Sequence, residues 1–298
     1  MGARGKFIRR SIQSLSARHS SLLKMIESHG ITDGGQITLN YINGNVADIR
    51  ICNNAKRNAI SGVMMNELAA IVDELNKADH LIALIIRGGG DFFCSGADLT
   101  LARDYINTPE RGRMMSAFMT EALNCLRESP LVSVAMLSGS ALGGGAEVST
   151  TADYRIYCQP SHTSPTSVTF VHAKLGVTPG WGGAARLQSI VGRGNALKLL
   201  GTSCSIFGDE AIRIGFAESI VTTTSEQDVI DAAMSFLDPF LKQRYPEAVR
   251  SAKRVVSALA VNPITGREVE SNAFASRWAG KDNTSAIVDR QAGGSTKK

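Results

Sequence analysis

Ser138-Gly139-Ser140-Ala141-Leu142-Gly143-Gly144-Gly145-Ala146-Glu147 is the stretch on which the reading of the fold turns. It follows the apolar run Leu131-Val132-Ser133-Val134-Ala135-Met136-Leu137, whose length and β-branched content indicate a buried strand. The small residues that come next predict a tight turn into a helix beginning near Leu142. Three glycines in a row remove every Cβ from that turn. A ligand oxygen can therefore approach backbone N–H groups that no intrahelical carbonyl satisfies and that carry the positive end of the helix dipole. Glu147 follows Gly143 by four positions, so one helical turn brings its carboxylate to the face of those amides. On the glycines alone, dinucleotide binding and plain close packing stay open.

A second stretch narrows the choice. Leu81-Ile82-Ala83-Leu84-Ile85-Ile86-Arg87 predicts another buried strand, and it runs into Gly88-Gly89-Gly90-Asp91-Phe92-Phe93-Cys94-Ser95-Gly96-Ala97-Asp98-Leu99. Two small-residue loops with free donors in one domain can supply two N–H groups to one oxygen, which is the requirement of an oxyanion hole.

Phe93-Cys94-Ser95-Gly96-Ala97-Asp98-Leu99, Gly139-Ser140-Ala141-Leu142-Gly143-Gly144-Gly145-Ala146-Glu147 and Leu175-Gly176-Val177-Thr178-Pro179-Gly180-Trp181-Gly182-Gly183-Ala184-Ala185-Arg186-Leu187 stand in the order and spacing of the crotonase (enoyl-CoA hydratase/isomerase) superfamily, which the chain resembles from about residue 36 onward. The resemblance implies an α/β crotonase fold, a spiral of repeated ββα units with a helical C-terminal subdomain. Residues 36–224 are then the core with the acyl-CoA site and residues 225–298 the helical subdomain, preceded by an extension over residues 1–35. It further implies an acyl-CoA thioester as the ligand, no metal, no cofactor beyond the coenzyme A of the substrate, and a homotrimer or a hexamer of such trimers. The backbone N–H groups of Ala97 and Gly144 become the oxyanion donors, and Asp98, Leu99 and Gly143 line the substrate site. Lys56 or Arg57 faces the coenzyme A phosphates, the other reading being solvated loop charges. Trp181 walls the acyl pocket, the other reading being a core aromatic.

One position departs from the pattern. Hydratases of the superfamily carry a second glutamate where this chain has His172. Hydration needs one group to activate water and another to protonate the α-carbon, whereas loss of carbon dioxide from an α-carboxyacyl thioester needs a stabilised enolate and one proton. Asn58-Ala59-Ile60-Ser61-Gly62-Val63-Met64-Met65, Phe170-Val171-His172 and Pro179-Gly180-Trp181-Gly182-Gly183 resemble members of the superfamily that decarboxylate ethylmalonyl-CoA. The implied activity is conversion of ethylmalonyl-CoA, and of methylmalonyl-CoA, to butyryl-CoA and propionyl-CoA, a metabolite-repair role. His172 would orient the substrate carboxylate or deliver the proton, with Glu147 the other candidate donor. The competing readings are a hydratase or isomerase using Glu147 alone, a non-catalytic acyl-CoA-binding protein, and an RNA-binding member.

Composition restricts the classes further. At 298 residues and 43% hydrophobic content the chain can bury a large core without disulfides. No apolar run reaches the length of a membrane span. Cys52, Cys94, Cys125, Cys158 and Cys204 are scattered and odd in number, as suits a reducing compartment. His19, His29, His80 and His162 do not recur at metal-ligand spacing. The net charge of +5 resides in residues 1–30, where Arg4, Lys6, Arg9, Arg10, Arg18 and Lys24 face Glu27 alone. A neutral body argues against a surface that tracks nucleic-acid phosphates.

The basic, Ser-rich leader places Ile8, Ile12, Leu15, Leu22 and Ile26 at helical spacing, the composition of a mitochondrial transit peptide or of a loose extension. The family resemblance favours the cytosol, with the mitochondrial matrix as the alternative. A hairpin is expected over residues 36–51, a helix over 61–77 and a Met-rich helix over 108–127. Short helices are expected over 195–200 and 209–214, a return strand over 216–221, and helices over 229–241, 246–259 and 267–278.

Overall fold

The computed structural model describes residues 14–28, 34–160, 165–261, 271, 272, 274 and 285. Strands β1 (Gln36–Ile42) and β2 (Val46–Cys52) form the expected antiparallel hairpin, with Asn43 and Gly44 at positive φ in the turn between them. From β2 the sheet continues in parallel through β3 (Ala83–Gly88), β5 (Val132–Ser138), β7 (Tyr154–Pro160) and β10 (Ser219–Thr223). A second sheet of four three-residue strands, β4 (Phe92–Cys94), β6 (Ser140–Leu142), β8 (Ser167–Thr169) and β9 (Ser205–Phe207), stands beside it.

Strands β3, β5 and β7 thus each hand the chain to a short strand of the second sheet and then to a helical segment, which is the repeated ββα unit. The handover after β5 is possible only at Gly139, at φ 69°, because a Cβ there would lie 1.8 Å from the Asp91 carbonyl oxygen.

The central strands are apolar on both faces, as parallel strands covered by helices must be. Leu84, Ile86, Ala135 and Leu137 face one core with Met64, Met65, Leu68 and Val72 of α3 (Gly62–Leu75). Ala83, Ile85, Val134 and Met136 face the other with Val229, Ala233 and Leu237 of α9 (Glu226–Leu241). The remaining helices are α4 (Leu99–Asp104), α5 (Pro109–Glu128), α6 (Gly144–Ser149), α7 (Gly183–Thr202), α8 (Gly208–Arg213) and α10 (Pro246–Val261).

Three expectations change. The turn after β5 does not enter a helix near Leu142. Residues 140–142 pair with β4 and β8 first, and α6 starts at Gly144. The short helix expected over 195–200 is the second half of α7, which bends at Gly192 (φ 75°, ψ 165°). The leader also contributes to the body. Helices α1 (Leu15–Arg18) and α2 (Ser20–Ser28) bury Leu15, Leu22 and Ile26 in the main core against α3 and α5. Asp73 of α3 accepts from Leu15 N and Ser16 N and so caps α1.

Of the helix expected over 267–278, residues 271, 272 and 274 are helical and the rest lie outside the described residues. So do residues 161–164 of the Pro-, Ser- and Thr-rich connection after β7. Among the described residues no helix is long and apolar enough to cross a membrane.

Candidate active site

The two small-residue loops meet. Gly96, at φ 97°, lies so close to the turn before α6 that a Cβ on it would be 2.9 Å from Gly144 N. Ile60 N donates to the Gly96 carbonyl at 2.7 Å and Asp98 N to the Ile60 carbonyl at 3.0 Å. These bonds straddle Ala97 and hold its peptide plane without using its N–H. Gly143 caps α6 at φ 53° and donates to the Thr169 carbonyl at 2.9 Å, which leaves Gly144 N as the first free donor of the helix. Neither Ala97 N–H nor Gly144 N–H has an acceptor among the described residues. The Trp181 ring covers the Gly144 Cα, where a Cβ would fall 2.4 Å from it. Trp181 is 3% exposed, so it is both a core aromatic and a wall beside the amide pair.

Glu147, 1% exposed, does not present a free carboxyl to that pair. Its Oε1 accepts from Trp181 N at 2.7 Å and Gly183 N at 2.9 Å, and its Oε2 from Gly180 N at 3.4 Å. His172, on a 3-10 turn over Val171–Leu175, places Nε2 3.1 Å from the same Oε2. The imidazole is 8% exposed, and its Nδ1 is buried without a hydrogen-bond partner among the described residues.

Lys56 and Asp98 are brought together on the rim. Lys56 Nζ lies 2.7 Å from Asp98 Oδ2, while Asp98 Oδ1 caps α4 through Thr100 N at 2.8 Å. Burial pushes the Asp98 carboxyl up, but the Lys56 ammonium and the Thr100 and Leu101 N–H groups outweigh it and hold the carboxyl below its ordinary range. Leu99 is 76% exposed at the start of α4, an apolar side chain left at the mouth. Arg57 turns away, its guanidinium 5.4 Å over the Phe92 ring. The structure therefore joins Ala97, Gly143, Gly144, Glu147, His172 and Trp181 in one cluster and leaves Arg57 outside it.

Several residues of the site were given no role in the sequence reading, and of these only Arg186 stood in a quoted motif. Ser116 and Thr120 of α5 donate to the Gly180 carbonyl. Arg186 donates to the carbonyls of Trp181 at 2.7 Å and Glu147 at 3.2 Å, to Thr150 Oγ1 at 3.0 Å and to Asn124 Oδ1 at 3.1 Å. Burial pushes the guanidinium down to about 10, opposed by the Glu147 carboxylate. Its signal in the sequence was a cation in the first turn of a helix, which the helix dipole opposes and which therefore asks for another partner. Among the described residues no group of three or more His, Cys, Asp or Glu side chains is placed to hold a metal ion.

Comparison with known proteins agrees with this geometry. A family model described as enoyl-CoA hydratase/isomerase matches residues 41–288. The chain is 34% identical to the ethylmalonyl-CoA decarboxylase of Xenopus laevis, over 95% of this chain and 98% of the relative. It is 36% identical to that of Bos taurus, over 86% and 81%. Among solved structures, the enoyl-CoA hydratase of Bacillus anthracis superposes with a TM-score of 0.75 at 26% identity, covering 86% of this chain and 96% of that one. A putative enoyl-CoA hydratase of Thermobifida fusca, in complex with acetoacetyl-CoA, superposes with a TM-score of 0.67 at 25% identity, covering 86% and 98%. By sequence and by fold, the chain belongs to the enoyl-CoA hydratase/isomerase family, the crotonases.

Proposed function

We propose that the protein is an acyl-CoA decarboxylase that converts ethylmalonyl-CoA, and methylmalonyl-CoA with it, to butyryl-CoA and propionyl-CoA. The observation that carries this reading is the pairing of Glu147 with His172 beside the free N–H groups of Ala97 and Gly144. The names of the relatives at 33–36% identity support the same substrate. A hydratase that works with two carboxyl groups would find His172 where it needs the second, and backbone donors and that imidazole already occupy the first.

The thioester oxygen sits between the Ala97 and Gly144 N–H groups, each worth about 10²–10³ in rate once charge develops on that oxygen. The bond from the α-carbon to its carboxylate breaks, the electron pair passes into the thioester as an enolate, and carbon dioxide leaves. His172, donating through Nε2–H to Glu147, gives the proton on Nδ1 to the α-carbon and regains one from water. One proton is consumed per turnover. The thioester is its own electron sink, so the chemistry calls for no metal and no organic cofactor. Lys56, tied through Asp98 to the loop that carries Ala97, is the cation that meets the coenzyme A phosphates.

In this reading the enzyme removes carboxylated side products of acyl-CoA metabolism, works as a homotrimer or hexamer and does not bind nucleic acid. Its compartment is the cytosol, with the mitochondrial matrix as the alternative. The burial of Leu15, Leu22 and Ile26 supports retention of residues 15–28 in the working protein.

The test is carbon dioxide release from ethylmalonyl-CoA by the purified protein, with crotonyl-CoA hydration followed in parallel. Expected are rapid release, negligible hydration, and a loss of about 10²–10⁴ in kcat for His172→Gln. Hydration without release would assign the site to a hydratase.

A further inference from the structure

We infer that Arg186 is a positioning residue of the reaction, aiming the Glu147 carboxylate and through it the His172 imidazole. The inference rests on the decarboxylase reading for its kinetic arm only.

Residues 180–183 form a two-sided strap. On one side the N–H groups of Gly180, Trp181 and Gly183 point at Glu147. The other side is held at two carbonyls of the strap. Gly180 C=O accepts from Ser116 and Thr120, and Trp181 C=O accepts from Arg186 Nη2. The Gly180 carbonyl shares a rigid peptide plane with Trp181 N–H, and the Trp181 carbonyl fixes the plane that lies between the peptides carrying the Trp181 and Gly183 N–H groups. Arg186 also holds the other partner, because Nη2 donates to the backbone carbonyl of Glu147, and Nε to Thr150 Oγ1 one residue beyond α6. One rigid guanidinium thus ties the strap to the helix that bears the carboxylate. Lysine, a point charge on a flexible stem, cannot span these acceptors. Gly182 completes the fit, since a Cβ on it would lie 2.7 Å from Arg186 Nη1.

The consequence reaches the imidazole because Glu147 Oε2 is the partner of His172 Nε2, while Nδ1 is left for the substrate. If the strap rotates, the carboxylate follows it, and both the direction and the basicity of the ring change. Small misplacements of a reacting group cost about 10²-fold in rate.

The experiment compares wild type, Arg186→Lys and Arg186→Gln in the full chain. It uses steady-state decarboxylation of ethylmalonyl-CoA and NMR titration of ¹⁵N-labelled imidazoles, with His172 identified by loss of its signals in His172→Gln. Expected is a fall of about 10–100-fold in kcat per folded molecule, KM within about threefold of wild type, and a displaced His172 titration, with lysine failing to rescue. A folded Arg186→Gln protein with wild-type kcat and an unmoved His172 titration overturns the inference. If both Arg186 variants fail to fold, Asn124→Ala and Thr150→Val loosen the guanidinium without removing it. They should move kcat and the His172 titration in the same direction by a smaller factor, and no movement in either again overturns the inference. Should wild type prove inactive on ethylmalonyl-CoA, the decarboxylase reading fails, while the imidazole titration still decides the role of Arg186.

Discussion

At Glu147 a carboxylate meets three backbone N–H groups and one imidazole, and this crowding defines what the residue can do. A group so engaged is better suited to hold a ring than to cycle a proton. Glu147→Gln separates the two roles. The amide oxygen can keep the bonds from Trp181 N and Gly183 N, but the amide nitrogen would face Gly180 N–H and would donate to His172 Nε2 instead of accepting from it. We expect the variant to remain folded, with a thermal midpoint a few degrees below wild type, and to lose at least about 10² in decarboxylation. Thermal unfolding and kcat measured on the same preparation check both halves. Gly143 and Glu147 were legible as a helix N-terminus with a carboxyl one turn on. The direction of that carboxyl was not, because its partners lie 25 to 36 residues away.

Among the elements, α5 connects the leader to the site. One side carries Phe118, whose ring meets His19 at 5.4 Å, and Glu121, which pairs with His19 Nε2 at 2.7 Å and with Arg18. Its other side carries Ser116, Thr120 and Asn124, which reach the Gly180 carbonyl and Arg186. The basic leader therefore bears on the strap around Glu147 through one helix. Leu22→Ala should cost about 2–5 kcal/mol of stability, the range for truncating a buried leucine. Deletion of residues 1–28 should lower stability by more and slow turnover as well. Denaturant unfolding and kcat measure the two effects, and a truncated protein with wild-type stability would show that α1 and α2 contribute nothing to the core. The helical period of Leu15, Leu22 and Ile26 was visible in the sequence. Their burial was not, because a basic amphipathic segment has the same pattern whether its apolar face meets a core or another partner.

At the scale of the whole molecule, several ion pairs join distant parts of the chain. Arg87 of β3 binds Asp48 of β2 in a bidentate pair and Glu226 of α9, so the C-terminal helices are tied to the sheet that carries the site. Lys56 and Asp98 join the loop after β2 to the oxyanion loop. Because the Asp98 carboxyl is held below its ordinary 3.8, its contribution to stability is fully present above that pH and is lost as pH falls through the folded value. Asp98→Asn should therefore be less stable than wild type at neutral pH and show a shallower loss of stability below about pH 4, as acid-unfolding curves would record.

The sequence by itself determined the long strands, most helices and the two glycine turns that free Ala97 and Gly144, since these follow from periodicity and from the absence of a Cβ at particular positions. Only the tertiary structure decided the second sheet, the seat of the leader and the binding of Glu147 by the strap under Arg186. The strands of that sheet are three residues long, too short for an alternating pattern to register. Its pairings, like the other two contacts, join segments far apart in the chain, and no local preference encodes which distant donor a buried acceptor will meet.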